Sequence, residues 1–588
     1  MPNSKGGRVS HATGLLASLM VIGLLWSVTP LSYIYVGWTL LAAMKWGPRN
    51  FLFGGPLTIR HTLHFLILAY AACAEIPFSL YYRYLARRAN ARWAPSASQA
   101  SDRAHIRDIF RQCLESGLDV ERDEVDPISA LVSGEDPGVP LDGTEEGLRR
   151  RIAATPSQND TTPRPLSAHL DENDPRAVDF QKHLAGWFYP HSFSDIRRDN
   201  ILEWLCWSLY GQITRQTPGK VLMLIVMLLG EPIEELAVAS KLARSHDTNI
   251  EDHASDKLDL VDQGLVLLEA RVGRKFPPGK NTKIRAIRLT LDPVKVLSRP
   301  LLLYLFVFGL QKLAVFRARG FKEYRDGNTR YLLRIPEGWI PDSNSESTRP
   351  LLFIHGLGIG VGQYGPLLKY LSEAPDLSQR PIAVLIQPHI SMSFFDRAYL
   401  KPPTQESCTR GIWRMCERWG FDQSKLTVLS HSNGSIVHGW ICKAFPDIVA
   451  RSCFVDPVCF CLWEGSVCIN FLYKHARTPF DFLMRYFVST ELGVALVMQR
   501  SFEWSSNLLF PTQIPNVRSK YHVAFMLAGA DVILDAERVR KYLTQNGVEE
   551  DFVAGRGGVY LHPGQKHGGS LIQRGVMDWI GRDVEIRG

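Results

Sequence analysis

A short apolar run, Lys425-Leu-Thr-Val-Leu429, leads directly into Ser430-His431-Ser432-Asn433-Gly434, after which a helix is expected to begin near Ser435. A strand that turns this tightly into a helix holds one hydroxyl in a strained, exposed position, here that of Ser432. Small residues are needed two places before and two places after it, because the backbone passes itself closely. Gly434 meets the second requirement, and Ser430 stands where glycine is commoner at the first. Such a serine suits nucleophilic attack on an acyl carbon, since the following helix N-terminus favours the developing negative charge. Upstream, the apolar run Leu351 to Ile354 ends in His355-Gly356-Leu357-Gly358, where glycines let the backbone approach a ligand.

The same loop continues as Gly358-Ile-Gly360-Val-Gly362, which raises a nucleotide-binding reading. A dinucleotide fingerprint needs a third glycine where this chain has Val361 or Gln363, and no Walker Lys-Ser/Thr pair follows, so that reading fails. Carboxylates and imidazoles able to complete proton transfer lie downstream: Asp456, Asp531 and Asp535, and His562 and His567, with His389 and His431 nearer the serine. The ten cysteines include no CxxC pair and sit mostly in apolar runs, so buried reduced thiols are expected and a metal site is not. A net charge of +8 on 588 residues, without a basic stripe or zinc-ligand spacing, excludes a nucleic-acid reader.

These residues need a scaffold, and from Phe321 onwards the periodicity supplies one. A hairpin is expected around Asp326-Gly327-Asn328, followed by buried strands at Leu351 to Ile354, Ile382 to Ile386, Leu426 to Leu429, Ser452 to Val455 and Val523 to Leu527. Strands alternating with helical stretches predict an α/β fold with a mostly parallel, doubly wound sheet. With the serine turn and the His-Gly loop, this resembles the α/β-hydrolase superfamily, and within it membrane-anchored fungal lipase or esterase-like serine hydrolases. The resemblance covers 321–588. It implies a catalytic triad in the chain order Ser432, Asp531, His567, with Asp531 preferred to Asp456 as the acid. It further implies an oxyanion loop of His355, Gly356 and Gly358, with the N–H groups of Leu357 and Asn433 as donors. Asp535 is then a helix cap, His562 a strand end, and His389 and His431 fall in the wrong chain order. A serine nucleophile points away from epoxide and haloalkane hydrolysis.

The stretch at about 457–520, between Asp456 and the next strand, is far longer than an ordinary loop and reads as a helical cap. Its Phe471, Leu472, Phe480, Phe482, Met484 and Phe487 suit a lipophilic ester substrate. Towards the N-terminus, Thr13 to Met44 lacks charge and is long enough to cross a bilayer, and Thr62 to Tyr82 is a second candidate interrupted by Glu75 and Pro77. The expected organisation is a membrane anchor of one or two transmembrane helices at 1–93, a polar, largely disordered linker at 94–176, a helical region at 177–320 packing on hydrolase or membrane, and the hydrolase at 321–588. Within the helical region, Val221 to Leu229 is an apolar run, and Leu301 to Leu310 is either a buried core helix or a membrane contact. With two spans, Lys5, Arg8, Arg83, Arg87, Arg88 and Arg92 share one side with the hydrolase, and the positive-inside bias favours the cytosol. Asn159-Asp160-Thr161 is a glycosylation acceptor that would report a lumenal linker. The function expected is hydrolysis of a lipophilic carboxylic ester through an acyl-enzyme, with membrane lipids as neighbours and neither organic cofactor nor metal implied. Acyl transfer by the same triad, and a non-catalytic scaffold, are the alternatives.

Overall fold

The computed structural model describes residues 4–47, 59–91, 103–118, 170–210, 250–343, 345–551 and 556–581. The run Val221 to Leu229 and the acceptor at Asn159 lie outside them. The chain opens with helix α1 (Ser4–Trp46) of 43 residues, which carries Pro30 within it. Helix α2 (Ile59–Tyr70) passes through a π turn (Ala71–Glu75) into α3 (Ile76–Ala91). The stretches Thr13–Lys45 and Leu63–Ala91 are long and apolar enough to cross a membrane. They are paired by polar contacts in otherwise apolar surroundings: Thr29 Oγ1 donates to Glu75 Oε1 at 2.5 Å, and Tyr33 Oη lies 2.9 Å from Ser79 Oγ.

The polar stretch expected to be largely disordered contains helix α4 (Arg103–Glu115). Ile106, Phe110 and Leu114 form one apolar stripe and pack with α6 (Arg198–Tyr210) and α7 (Ile250–Val272); α5 (Pro175–Ala185) completes this cluster. The cluster rests on the insertion at 457–520, since Trp187 Nε1 donates to the Trp463 carbonyl and Trp504 Nε1 to that of Ser208, each at 2.7 Å. The apolar run at Leu301 extends into α8 (Leu301–Arg317), which has one face buried and one exposed.

The remaining chain forms an eight-stranded sheet of β1 (Lys322–Asp326), β2 (Thr329–Arg334), β3 (Leu351–Ile354), β4 (Ile382–Ile386), β5 (Leu426–His431), β6 (Val449–Val455), β7 (Val523–Ala528) and β8 (Gly558–His562). Their order is β1-β2-β4-β3-β5-β6-β7-β8. Strand β2 runs antiparallel to both neighbours, while β3 to β8 are parallel. Alternate residues feed opposite layers, as the two-residue period of a strand requires. Phe353, Val384, Leu429 and Met526 pack under α8, α9 (Gly365–Glu373) and a C-terminal helix at Arg574–Gly581. Ile354, Leu385, Val428 and Phe525 pack under helices at Gln405–Trp419, Gly434–Ala444 and Ala536–Gln545.

From β3 the chain moves outwards to β4 and then crosses back to β5 on the other side of β3. The carboxyl ends of β3 and β5 thus flank the point where the winding reverses, which is where open α/β sheets form their ligand crevice. The insertion at 457–520 contains the short helices Pro479–Met484 and Leu492–Arg500.

Candidate active site

Strand β5 and the helix beginning at Gly434 are joined by only Ser432 and Asn433, and Ser432 takes the left-handed backbone conformation at φ 52°. Its N–H donates to the Val455 carbonyl at 2.9 Å, which fixes the turn against β6. A Cβ on Gly434 would sit 2.3 Å from the carbonyl oxygen of Ile354, so glycine is obligatory there. Ser430 is accommodated by a buried polar chain: its Oγ lies 2.8 Å from His438 Nδ1, and His438 Nε2 lies 3.0 Å from Ser452 Oγ.

The imidazole of His567 approaches the serine from the loop after β8, with Nε2 2.8 Å from Ser432 Oγ. On its other side, Nδ1 donates to Asp531 Oδ2 at 2.5 Å, and Asp531 sits just beyond the tip of β7. That tautomer leaves Nε2 as an acceptor facing the hydroxyl proton. Burial pulls the His567 pKa down, but the hydrogen bond to Asp531 and the charges of Asp531 and Asp456 outweigh it, and the net shift is upwards.

Asp456, at the end of β6, makes no hydrogen bond to the imidazole. Its Oδ1 accepts the N–H of Ala528 at 2.7 Å and its Oδ2 that of Gly568 at 2.6 Å, so it ties the loop carrying His567 to the strand carrying Asp531. Burial is the main cause of its pKa rising to about 6. Asp456, Asp531 and His567 form a tight donor cluster, yet their hydrogen bonds to one another, to Ser432 and to backbone N–H groups account for the geometry without an ion.

The loop after β3 is braced from several sides. His355 Nδ1 donates to the Gly356 carbonyl at 2.9 Å and its Nε2 accepts from Gln387 N; burial holds its pKa down at about 4, so the ring is a neutral fastener. Gly356 N donates to Tyr364 Oη, which in turn lies 2.8 Å from His431 Nδ1. A Cβ on Gly356 would press on Ser432 Cβ at 2.9 Å. Gly358 has φ 137°, and a side chain there would collide with Gln363, whose Nε2 donates to the Leu357 carbonyl at 3.1 Å. Among the described residues the N–H groups of Leu357 and Asn433 make no hydrogen bond. Two unengaged N–H groups thus lie on the two loops flanking Ser432, the arrangement an oxyanion would need.

His431 is packed against His567 with ring centroids 5.2 Å apart, and a Cβ on Gly568 would meet its Nε2 at 3.0 Å. His562 ends β8, and Asp535 caps a helix by accepting from Arg538 N. His389 is buried and neutral, its pKa lowered to about 3 by burial. The structure thus brings together Ser432, His567, Asp531, Leu357 and Asn433. Sequence reasoning singles out Asp456 and His431 as candidates but not as bracing groups, and it does not find Gln363 or Tyr364. The signals were the position of Asp456 at a strand end and that of His431 beside Ser432.

Above the site, Leu357 packs into an apolar cluster with Phe471, Leu472, Met484 and Val488 of the cap and Ile533 beside the acid. A small apolar cavity of about 40 Å³ lies elsewhere, among Phe110, Trp187, Trp204 and Trp463, and is not connected with the chemistry at Ser432.

Fold and site together define the class: the chain carries the α/β-hydrolase fold, with a serine, histidine and aspartate in hydrogen-bonding sequence at the sheet's carboxyl edge. No protein-family profile matches the sequence, and no curated protein matches it. Among solved structures it is similar to naproxen esterase, a carboxylesterase from Bacillus subtilis, at 12% identity over 46% of this chain and 94% of that one, with a TM-score of 0.31. A bacterial membrane phospholipase A gives 15% identity over 46% and 86%, with a TM-score of 0.30. A 2-hydroxy-6-oxo-6-phenylhexa-2,4-dienoate hydrolase from Rhodococcus gives 13% over 44% and 95%, with a TM-score of 0.27.

Proposed function

We propose that the protein is a membrane-anchored serine hydrolase that cleaves lipophilic carboxylic esters. The observation that carries this is the unbroken chain from Ser432 Oγ through His567 to Asp531. Ser432 Oγ attacks the ester carbon while its proton passes to His567 Nε2, and the carbonyl electrons move onto the oxygen facing Leu357 and Asn433 N–H. Collapse expels the alkoxide, which takes the proton from His567, and leaves an acyl group on Ser432. Water, deprotonated by the same imidazole, then releases the acid.

The apolar cluster joining Leu357 to Phe471 and Met484 favours an acyl chain beside the scissile bond. The two long apolar helices support anchoring in a membrane. Gly14, near the start of α1, lies beside Pro479 of the cap, which supports a tail and a hydrolase on one side of the hairpin. Lys5, Arg8, Arg83, Arg87 and Arg88 lie on that side, which favours the cytosol. A fluorophosphonate probe tests the chemistry: wild type should label on Ser432 and Ser432→Ala should not. Well-folded wild type that resists the probe would defeat the proposal.

A further inference from the structure

From Leu301 to Leu310 helix α8 is apolar on every side, yet among the described residues protein covers only one face of it. Leu303, Tyr304 and Val307 are buried against Phe78, Tyr82 and Leu85 of α3, and Ala314 is buried over the sheet. The opposite face exposes Leu302, Leu305, Phe306 (62%), Leu313 and Phe316 (86%), which recur at helical spacing along its whole length. Such side chains along a helix of 17 residues do not belong in water, because an apolar surface of this extent is stable only inside a core or in lipid.

What covers this face follows from what it adjoins. The first turn of α8 is tied to the membrane hairpin, since Leu301 N donates to Glu75 Oε2 at 2.9 Å. Exposed Leu80, Tyr81 and Tyr84 on α3 continue the apolar surface, and exposed Phe395 packs edge-on against Phe308 with centroids 6.0 Å apart. Lys312, Arg317 and Arg319 are exposed along its charged margin, where long cationic side chains reach headgroups from an apolar stem. The buried side meets the catalytic machinery: Gln311 Nε2 donates to the carbonyls of Ile359 and Ser391, at 3.2 and 2.8 Å, and so forms the floor of the loop that presents Leu357 N–H.

We propose that α8 is an interfacial helix, immersed along its exposed face in the bilayer that holds α1 to α3, and that it seats the oxyanion loop at the membrane surface. This rests on the membrane-anchor reading above. The test uses the full chain with Cys73→Ser, which removes the one exposed cysteine and leaves nine buried ones. Nitroxide labels at Phe306→Cys and Phe316→Cys, and at Lys541→Cys on the opposite face of the sheet, are compared in phosphatidylcholine vesicles for collision with oxygen and with a water-soluble nickel chelate. The oxygen-to-nickel ratio should be several-fold higher at 306 and 316 than at 541. Equal ratios in vesicle-bound protein would overturn the proposal by placing the face in water. Labels shielded from both reagents would overturn it by showing a protein cover, whether another part of this chain or a second copy. Protein that fails to float with the vesicles would instead defeat the anchor reading, so the two failures are distinguishable.

Discussion

Replacing Asp531 by asparagine discriminates between the two carboxylates near His567. In the wild type, Asp531 accepts the Nδ1 proton at 2.5 Å and fixes the tautomer that leaves Nε2 free for Ser432. An asparagine amide can donate to Nδ1 instead, which puts the proton on Nε2 and blocks acceptance from the serine. The variant also loses a carboxylate beside the imidazolium formed in the transition state, worth about 4 kcal/mol at a separation near 4 Å and an effective dielectric near 20. Together these predict a fall in kcat/KM of about 10⁴. Asp456 makes no hydrogen bond to the ring but holds Ala528 N and Gly568 N, so Asp456→Asn loses roughly one charge-assisted hydrogen bond, about 1.5–3 kcal/mol, or about 10- to 100-fold. Both variants are to be assayed on a medium-chain nitrophenyl ester in detergent, with thermal unfolding run alongside to verify folding. Equal losses, or a larger loss for Asp456→Asn in folded protein, would refute the assignment of the acid.

Gly434→Ala forces a methyl group to within 2.3 Å of a backbone oxygen, and we expect it to lose fluorophosphonate labelling entirely; near wild-type labelling would contradict the close approach of the two chains. Because the His567 pKa is raised and its Nε2 must be unprotonated, kcat/KM should climb with pH through an apparent pKa above the ordinary histidine value, and Asp531→Asn should move that limb downwards. The buried neutral histidines predict acid lability. His355, His389 and His438 are held by burial at about 4, 3 and 3, below their unfolded values, so the unfolded chain binds more protons as pH falls. Their contribution is present above the ordinary histidine pKa and is lost below it, by about 2 kcal/mol each at pH 5. Asp456, raised to about 6, opposes this with the reverse sign but is outnumbered. The unfolding temperature should therefore drop between pH 7 and 5, and a flat profile would contradict the burial of these rings.

The parts of the site legible in the sequence are those in which backbone geometry dictates residue type. The turn at Ser432 demands small neighbours, and the loop at Gly356 demands glycine, whatever surrounds them. The bracing groups were invisible because nothing local distinguishes them: Tyr364 and Gln363 are ordinary residues until the loop folds back on them. Asp456 was visible as a candidate, but two carboxylates at adjacent strand ends differ only in which one reaches the ring. In the polar stretch, composition outweighed periodicity, and the stripe Ile106, Phe110, Leu114 is a helix signal that averaging concealed. The apolar run at Leu301 left two readings open because composition does not tell which side of a helix is covered.

The fastening of the N-terminal hairpin has a practical consequence. Arg299, almost wholly buried, donates to the carbonyls of Leu297 and Thr490 and to Tyr82 Oη, and Asn90 clasps both backbone groups of Val294. An enzyme on a leash can be cut free and handled as a soluble domain. Here the cut would strip the cover from Leu303, Tyr304 and Val307 and leave Arg299 short of a partner, so helices α1 and α3 are part of the framework of the sheet domain. Ser432 accordingly stands at a set height relative to the hairpin, and under the proposed function the substrates it meets would be those whose ester bonds rise to that level.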